Sequence, residues 1–362
     1  MSTWDERLLA WPQAHLLQTR GWGIAQSQAG WRSHQLLVPV EGAAQPLPLS
    51  VLQSRRPAAL ARLGLTRLYV PKGPACAADD EPAWAAVLGA LDDLARRAGA
   101  GTVTVEPPGW DDQAAALRSR LRGHRWSETA TAQPAHTAVV DLSGDFEAVL
   151  ARMRPKGRYN VRLAARRGVV VDCLGGDAVA AETLAALCAA TAARQGIHQP
   201  DARHLRAVLA TVPGAAVYVA SVAGEPVAGA LVAAFAGEAA YLYGGSTERH
   251  RERQPSALLH AAVMQAAMAA GCRTYDLWGI PAGDDPTHAW HGLRQFKLSL
   301  GGVERSAPGA WRQVRRPAAA RAGELLENLR RRARRPLVHR ERARLEHGGD
   351  GERTAAPAPR TH

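Results

Sequence analysis

VYVASVAGEPVAGALVAAFAGEAAYLYGG, residues 217–245, decides the fold. Two alternating apolar runs, 217–223 and 226–235, flank a Gly224–Glu225 turn and predict a hairpin. A third run, 239–244, follows a second Gly–Glu turn and extends the hairpin to a three-stranded meander. Downstream, Pro255 suits the first turn of a helix and Gly271 its C′ position. Between them Leu258, Leu259, Ala262, Val263 and Ala266 recur at helical spacing. The segment TYDLWGI, 274–280, then reads as a strand. The order is meander, helix, strand.

The first half repeats it. Strand-like runs lie at 35–40, 47–53 and 66–70, a helical run at 82–97 ends near Gly99, and a strand follows at 102–106. Corresponding elements of the two halves lie about 172 residues apart. Meander–helix–strand is the core order of the GNAT acyltransferase fold. The expectation is an α+β chain of two tandem GNAT-like domains, each a mixed sheet flanked by helices, at 1–142 and 143–312. The strand-like run 137–142 closes the first of them on this reading. An Arg-rich tail, helical or disordered, follows at 313–362.

The chain has 362 residues, 46% apolar and 22% charged, which is a globular composition with room for two cores. No uninterrupted apolar run approaches the roughly 18 residues of a membrane span. The opening MSTWDERLLAWPQ carries acids and no apolar core, so it does not read as a secretory signal. Cys76, Cys173, Cys188 and Cys272 are far apart, which argues against a zinc ribbon or disulfide scaffold and fits a reducing, cytoplasmic compartment; the chain is expected to be a monomer. The formal net charge of +12 is concentrated late: from Arg312 onward 14 arginines face six acids, densest at Arg330, Arg331, Arg332, Arg334 and Arg335. Such a tail suits tRNA or peripheral contact with the anionic inner membrane surface, and equally a solvated end. Of 45 basic residues only Lys72, Lys156 and Lys297 are lysine, which singles out places where a compact ammonium is needed.

Between the halves lies MRPKGRYNVRLAARRGVVV, residues 153–171. Pro155 starts a helix, Gly168 ends it, and Arg154, Arg158, Arg162 and Arg166 fall on one face at four-residue spacing. The stripe either grips phosphates bidentately or is a solvated basic face; its place in the chain puts it beside the expected cleft between the halves. There is no GxSxG, HExxH, Walker or GxGxxG motif, and His288 and His291 beside Trp290 lack the partners of a metal set. An acetyl-CoA enzyme of this fold cradles pyrophosphate in a glycine-rich turn before the helix. Here that turn reads RHRERQPSALL, 249–259, without a glycine, which argues against that donor.

RPKGRYNVRLAARRGVVV resembles a signature of the FemABX family of peptidoglycan-bridge aminoacyltransferases. YLYGGS at 241–246, AAGCRTYDLWGI at 269–280 and HGLRQFKLSLGG at 291–302 resemble the family's closing motifs in order and spacing. YVPKGP at 69–74 and VTVEPPGW at 103–110 are similar more loosely. The resemblance implies an aminoacyl-tRNA donor, an amine of a nucleotide- or lipid-linked muropeptide as acceptor, transfer of Gly, Ala or Ser, and no metal or organic cofactor. It implies that Lys297 is the cation beside the carbonyl oxygen, its alternative being a surface ion pair. It implies that Glu106 orients or deprotonates the amine, its alternative being a strand-end carboxylate, and that Tyr243 and Phe296 line the cleft.

The chain departs from the family at two phosphate-gripping places. The lysine expected four residues after Trp22 is Gln26, and an expected Arg–Tyr pair reads Pro200 and His204, with Arg203 close by. Arg158, Arg162 and Arg166 are the other candidates for the grip. Two different classes stay open beside the transferase: an acetyl-CoA-dependent N-acyltransferase and a non-catalytic basic RNA-binding module.

Overall fold

The computed structural model describes residues 3–124, 126–197, 199–323 and 325; the Arg330–Arg335 cluster and the rest of the expected tail lie outside them. In chain order the helices are α1 (Thr3–Leu9), α2 (Arg20–Gln28), α3 (Ala58–Arg62), α4 (Glu81–Arg97), α5 (Asp111–Gly123), α6 (Phe146–Arg152), α7 (Pro155–Arg166), α8 (Ala178–Gln195), α9 (Ala202–Thr211), α10 (Pro255–Ala269) and α11 (His291–Ser299). The strands are β1 (Trp31–Val38), β2 (Leu47–Ser54), β3 (Thr66–Pro71), β4 (Ala100–Glu106), β5 (Ser127–Thr129), β6 (His136–Asp141), β7 (Val169–Gly175), β8 (Ala215–Val222), β9 (Glu225–Phe235), β10 (Glu238–Ser246), β11 (Thr274–Gly279), β12 (Val303–Ser306) and β13 (Ala310–Val314).

The repeated order is present. One sheet runs β1-β2-β3-β4-β13-β5 and the other β12-β6-β11-β10-β9-β8-β7. Each contains an antiparallel meander joined through a helix to a parallel strand, β3 to β4 and β10 to β11. The helix ends follow the punctuation. Pro155 and Pro255 occupy first turns, where a missing N–H costs nothing, and Gly168 and Gly271 close the same helices at φ of 74° and 81°.

The division at residue 142 is not where the sheets divide. β6 pairs antiparallel with β11 and β12 and so belongs to the second sheet. β13 returns from the second half and inserts between β4 and β5 of the first. Alternation predicts a strand but not its partner; the free edges of β4 and β11 decide that. Trp311 of β13 is fully buried in the first core, its indole nitrogen donating to Pro308 O at 3.1 Å.

Two cores result. One fills the first sheet and continues across one face of the second through Leu184, Cys188, Leu205 and Val208 of α8 and α9. The other covers the opposite face with Val161 and Ala164 of α7 and Leu259, Val263 and Met264 of α10. The arginine-striped helix α7 therefore packs on the far face of the second sheet, not between the halves. It comes after β6, which already belongs to that sheet. A Cβ on Gly157 would lie 2.0 Å from Ser299 O, so glycine is what lets α7 meet the end of α11.

Because β13 ties the halves together through Trp311, Trp311→Ala is expected to cost about 3–5 kcal/mol. Denaturant unfolding checks this, and a loss below about 1 kcal/mol would show that the inserted strand contributes little.

Candidate functional site

The two parallel strand pairs differ in one respect. β3 and β4 stay paired from Thr66 opposite Ala100 to Pro71 opposite Glu106. β10 and β11 pair only over Glu238–Ala240 against Thr274–Asp276, then part. Irregularities on both outer sides accompany the parting: β10 shifts register against β9 between Tyr241 and Tyr243, and β11 against β6 between Asp276 and Gly279. Trp278 takes a left-handed φ of 65°, and its N–H donates to Asp276 Oδ1 at 2.7 Å. For a bulky residue that conformation is strained, and it lies where β11 swings away.

Lys297 sits in the mouth of this wedge. Its Nζ donates to Gly279 O at 2.8 Å and to Trp278 O at 3.3 Å, and it lies 5.6 Å from the centre of the Tyr241 ring. The residue is 4% exposed and makes no ion pair among the described residues, so the surface-pair alternative does not hold. Burial pulls its pKa down to about 8, opposed by the charge of Asp276. Asp276 is itself buried and accepts from the Thr137 hydroxyl; desolvation pushes its pKa up, while these hydrogen bonds, Lys72 and Lys297 oppose the rise.

An aromatic wall backs the ammonium. His260 of α10 is buried with Nδ1 2.9 Å from the Tyr275 hydroxyl, its ring edge-on to Tyr241 at 4.9 Å and 5.7 Å from Phe296. Burial, then the Lys297 charge, pull its pKa to about 3, so it is neutral. Sequence reasoning missed His260; its signal was a histidine next to Leu259 on the buried side of a helix. Phe296 is half-buried in this wall. A desolvated cation without a counter-ion is suited to stabilising negative charge that appears on a substrate atom brought to it.

The structure brings two more candidates together. The β10 irregularity turns Tyr243 toward the first half, where its hydroxyl lies 2.9 Å from His204 Nε2 and the rings meet edge-on at 5.4 Å. Burial pushes the Tyr243 phenol up to about 12 and lowers His204, so both are neutral. Arg203, beside His204 on α9, is exposed. Gln26 is half-buried on α2, which packs along α9 with Thr211 Oγ1 donating to Gly21 O at 2.9 Å.

Glu106 is 4% exposed and engaged: its carboxylate accepts from the Tyr69 hydroxyl at 2.8 Å, Gln133 N at 2.9 Å and Ala132 N. Burial raises its pKa, against those hydrogen bonds and Lys72. In this arrangement Glu106 clamps the 132–133 loop. The arginine stripe divides too. Arg158 donates to Ala151 O at 2.8 Å and to Met153 O, closing the turn before α7. Arg162 and Arg166 are exposed and make no hydrogen bond or ion pair among the described residues.

Residues 151–290 match a family model described as an acetyltransferase (GNAT) domain. The crystal structure of FemX is similar over 88% of this chain and 96% of its own, with a TM-score of 0.78 at 18% identity. The C-terminal domain (DUF2156) of a putative lysylphosphatidylglycerol synthetase from Agrobacterium fabrum is similar over 88% and 94%, at 0.55 and 16%. L-PGS from Bacillus licheniformis is similar over 89% and 95%, at 0.53 and 14%. No curated protein matches the chain. At these identities the likeness establishes the fold: two tandem GNAT-like domains arranged as in FemX, the second holding the stretch that matches the acetyltransferase (GNAT) model.

The Lys297 geometry has a measurable consequence for stability. Its pKa is about 8 folded and 10.5 ordinarily, so between those values the unfolded chain binds more protons and stability must rise with pH. Relative to Lys297→Met, the wild type is expected to gain unfolding free energy from pH 8 to 10.5. A difference that stays flat across that window would contradict a buried, desolvated ammonium.

Proposed function

We propose that the chain is an acyltransferase that takes an aminoacyl group from aminoacyl-tRNA and passes it to an amine of a muropeptide precursor. The observation that carries the reading is the Lys297 ammonium, held by two carbonyls at the parting of β10 and β11 with no carboxylate paired to it among the described residues. The acceptor nitrogen attacks the ester carbonyl, and charge develops on the carbonyl oxygen beside Nζ. The C–N bond forms, the ester C–O bond breaks, and the departing ribose hydroxyl takes the proton that the amine gives up. Tyr241, Phe296 and His260 keep water from the ammonium. Such a donor places the reaction in the cytoplasm.

The turn before α10 supports this donor over acetyl-CoA. His250 and Gln254 take left-handed φ of 57° and 58° without glycine, and no side chain caps the helix. The turn is tied to α7 instead: Arg167 Nη1 donates to Glu252 O at 2.8 Å and Arg253 Nη1 to Arg167 O at 2.7 Å. The turn is therefore held by guanidinium–carbonyl bonds rather than shaped by the glycines that let a pyrophosphate approach backbone amides. Together with Arg162 and Arg166, Arg167 and Arg253 give a basic face that suits an RNA backbone. Glu106 acts in this reading as a positioning residue rather than as the base.

Lys297→Met is expected to lower turnover by about 10²-fold or more with aminoacyl-tRNA and precursor as substrates. In the wild type, kcat should fall as pH rises through about 8, because the ammonium is then lost. A variant with near wild-type turnover would sink the assignment.

Replacing Arg162 and Arg166 by Gln should weaken tRNA binding and flatten its salt dependence by about one log–log unit per arginine. Arg158→Gln should destabilise the fold and leave that slope unchanged. If all three variants behave alike in a salt titration of tRNA affinity, the division of the stripe is wrong.

A further inference from the structure

On the face turned to the first half, the paired start of β10 and β11 borders a cavity of about 170 Å³. His15, Lys72 and Trp110 contribute to it from the first half, and Phe235, Glu238 and Thr274 from the second. It is separate from the wedge, which opens at the other end of the same two strands.

Lys72 is 4% exposed, yet its ammonium makes neither a hydrogen bond nor an ion pair among the described residues. It lies 4.7 Å from the centre of the Trp110 ring and reaches the cavity wall. Its backbone takes a left-handed φ of 44° just after β3, a conformation uncommon for a lysine. Glu238, half-buried, lines the same cavity; its side chain hydrogen-bonds with Thr274 and makes no ion pair among the described residues. Two opposite ionisable groups thus line one partly open cavity with no ion pair between them, each feeling the other's charge.

Leaving such groups unpaired is costly unless a ligand completes them. A simple anion would satisfy Lys72 and leave the Glu238 carboxyl unmatched; a simple cation would do the reverse. A zwitterion with both charges on one carbon satisfies both. His15 adds a donor: its Nδ1 accepts from Leu17 N at 3.0 Å, so the remaining proton of the neutral ring sits on Nε2. The volume fits a small amino acid, and Trp110, Phe235, Pro12 and Pro108 offer apolar surface to a short side chain.

We propose that this cavity binds a free small α-amino acid, its carboxylate on Lys72 and its ammonium on Glu238. Burial, then Asp276, push Glu238 up to about 8, so at neutral pH the carboxyl is largely protonated and gives up its proton as an ammonium binds; burial lowers Lys72. The site does not rest on the transferase reading, and its test reads binding rather than transfer.

Titration calorimetry of the full chain, with L-alanine, D-alanine, glycine, propionate and alanine amide as probes, decides the matter. At least one free amino acid should saturate with a Kd of about a millimolar, the range open to so few atoms. Propionate and alanine amide should each bind about tenfold more weakly or worse, since propionate leaves Glu238 without its ammonium partner and alanine amide leaves the buried Lys72 without its carboxylate. Lys72→Met should remove amino-acid binding, and Glu238→Gln should abolish the advantage of alanine over propionate. Circular dichroism confirms that each variant is folded, and the wild-type probe series stands even if one is not. Saturation by no amino acid, equal binding of alanine and propionate, or wild-type affinity in both folded variants would overturn the proposal.

Discussion

Three rungs of parallel pairing, Glu238–Ala240 against Thr274–Asp276, are all that join β10 to β11, and the chemistry of the molecule depends on their stopping there. Where the strands part, the carbonyls of Trp278 and Gly279 lose their place in a ladder and need donors. The Lys297 ammonium supplies them and is thereby fixed in position. A carboxylate in that role would quench the charge, since at about 4 Å and an effective dielectric near 20 an ion pair is worth roughly 4 kcal/mol. Backbone carbonyls hold the cation and leave most of its field for a substrate. Asp276 is placed to tune rather than neutralise it, because its oxygen is committed to Trp278 N and the Thr137 hydroxyl.

The same constraint separates the two like sheets: only in the second do the parallel strands part. β3 and β4 never part, and their far end is closed by Glu106, whose backbone oxygen accepts from Gly73 N at 3.2 Å and whose carboxylate gathers Tyr69 and the 132–133 loop. Charge is continuous across the halves nonetheless. Lys72 feels Asp276, Glu106 and Glu238, and Asp276 feels both Lys72 and Lys297. The exchange of β6 and β13 between the sheets fixes the halves against each other, so those buried charges keep their spacing.

Much of this was legible in the chain. Alternation around Gly224 and the Pro255–Gly271 bracket marked the second meander and its helix, and the scarcity of lysine pointed to Lys72 and Lys297 but equally to Lys156, which is exposed on α7. Partner choice was not legible: a period of two names a strand but not the edge it joins, so 137–142 reads as part of the first domain while its strand pairs in the second sheet. Helix α8 went unread because alanine occupies so many of its positions that no apolar stripe stands out. The stripe on α7 reads as one unit in the sequence, whereas Arg158 is spent on the carbonyls of Ala151 and Met153. The meeting of His204 with Tyr243 depends on a register shift that no spacing rule reveals.

In the proposed reading, the basic face beside α10 and the buried ammonium in the wedge account for donor and chemistry together: phosphates held outside, an ester carbonyl presented within. A single-turnover experiment tests this most directly. Aminoacyl-tRNA labelled in the amino acid is mixed with excess enzyme and a purified muropeptide precursor, and the label is followed by chromatography. The account predicts that the label passes from tRNA to the precursor's amine through a new amide bond, with acetyl-CoA unable to replace the tRNA. Label that stays on tRNA while acetyl-CoA acylates the same amine would contradict it.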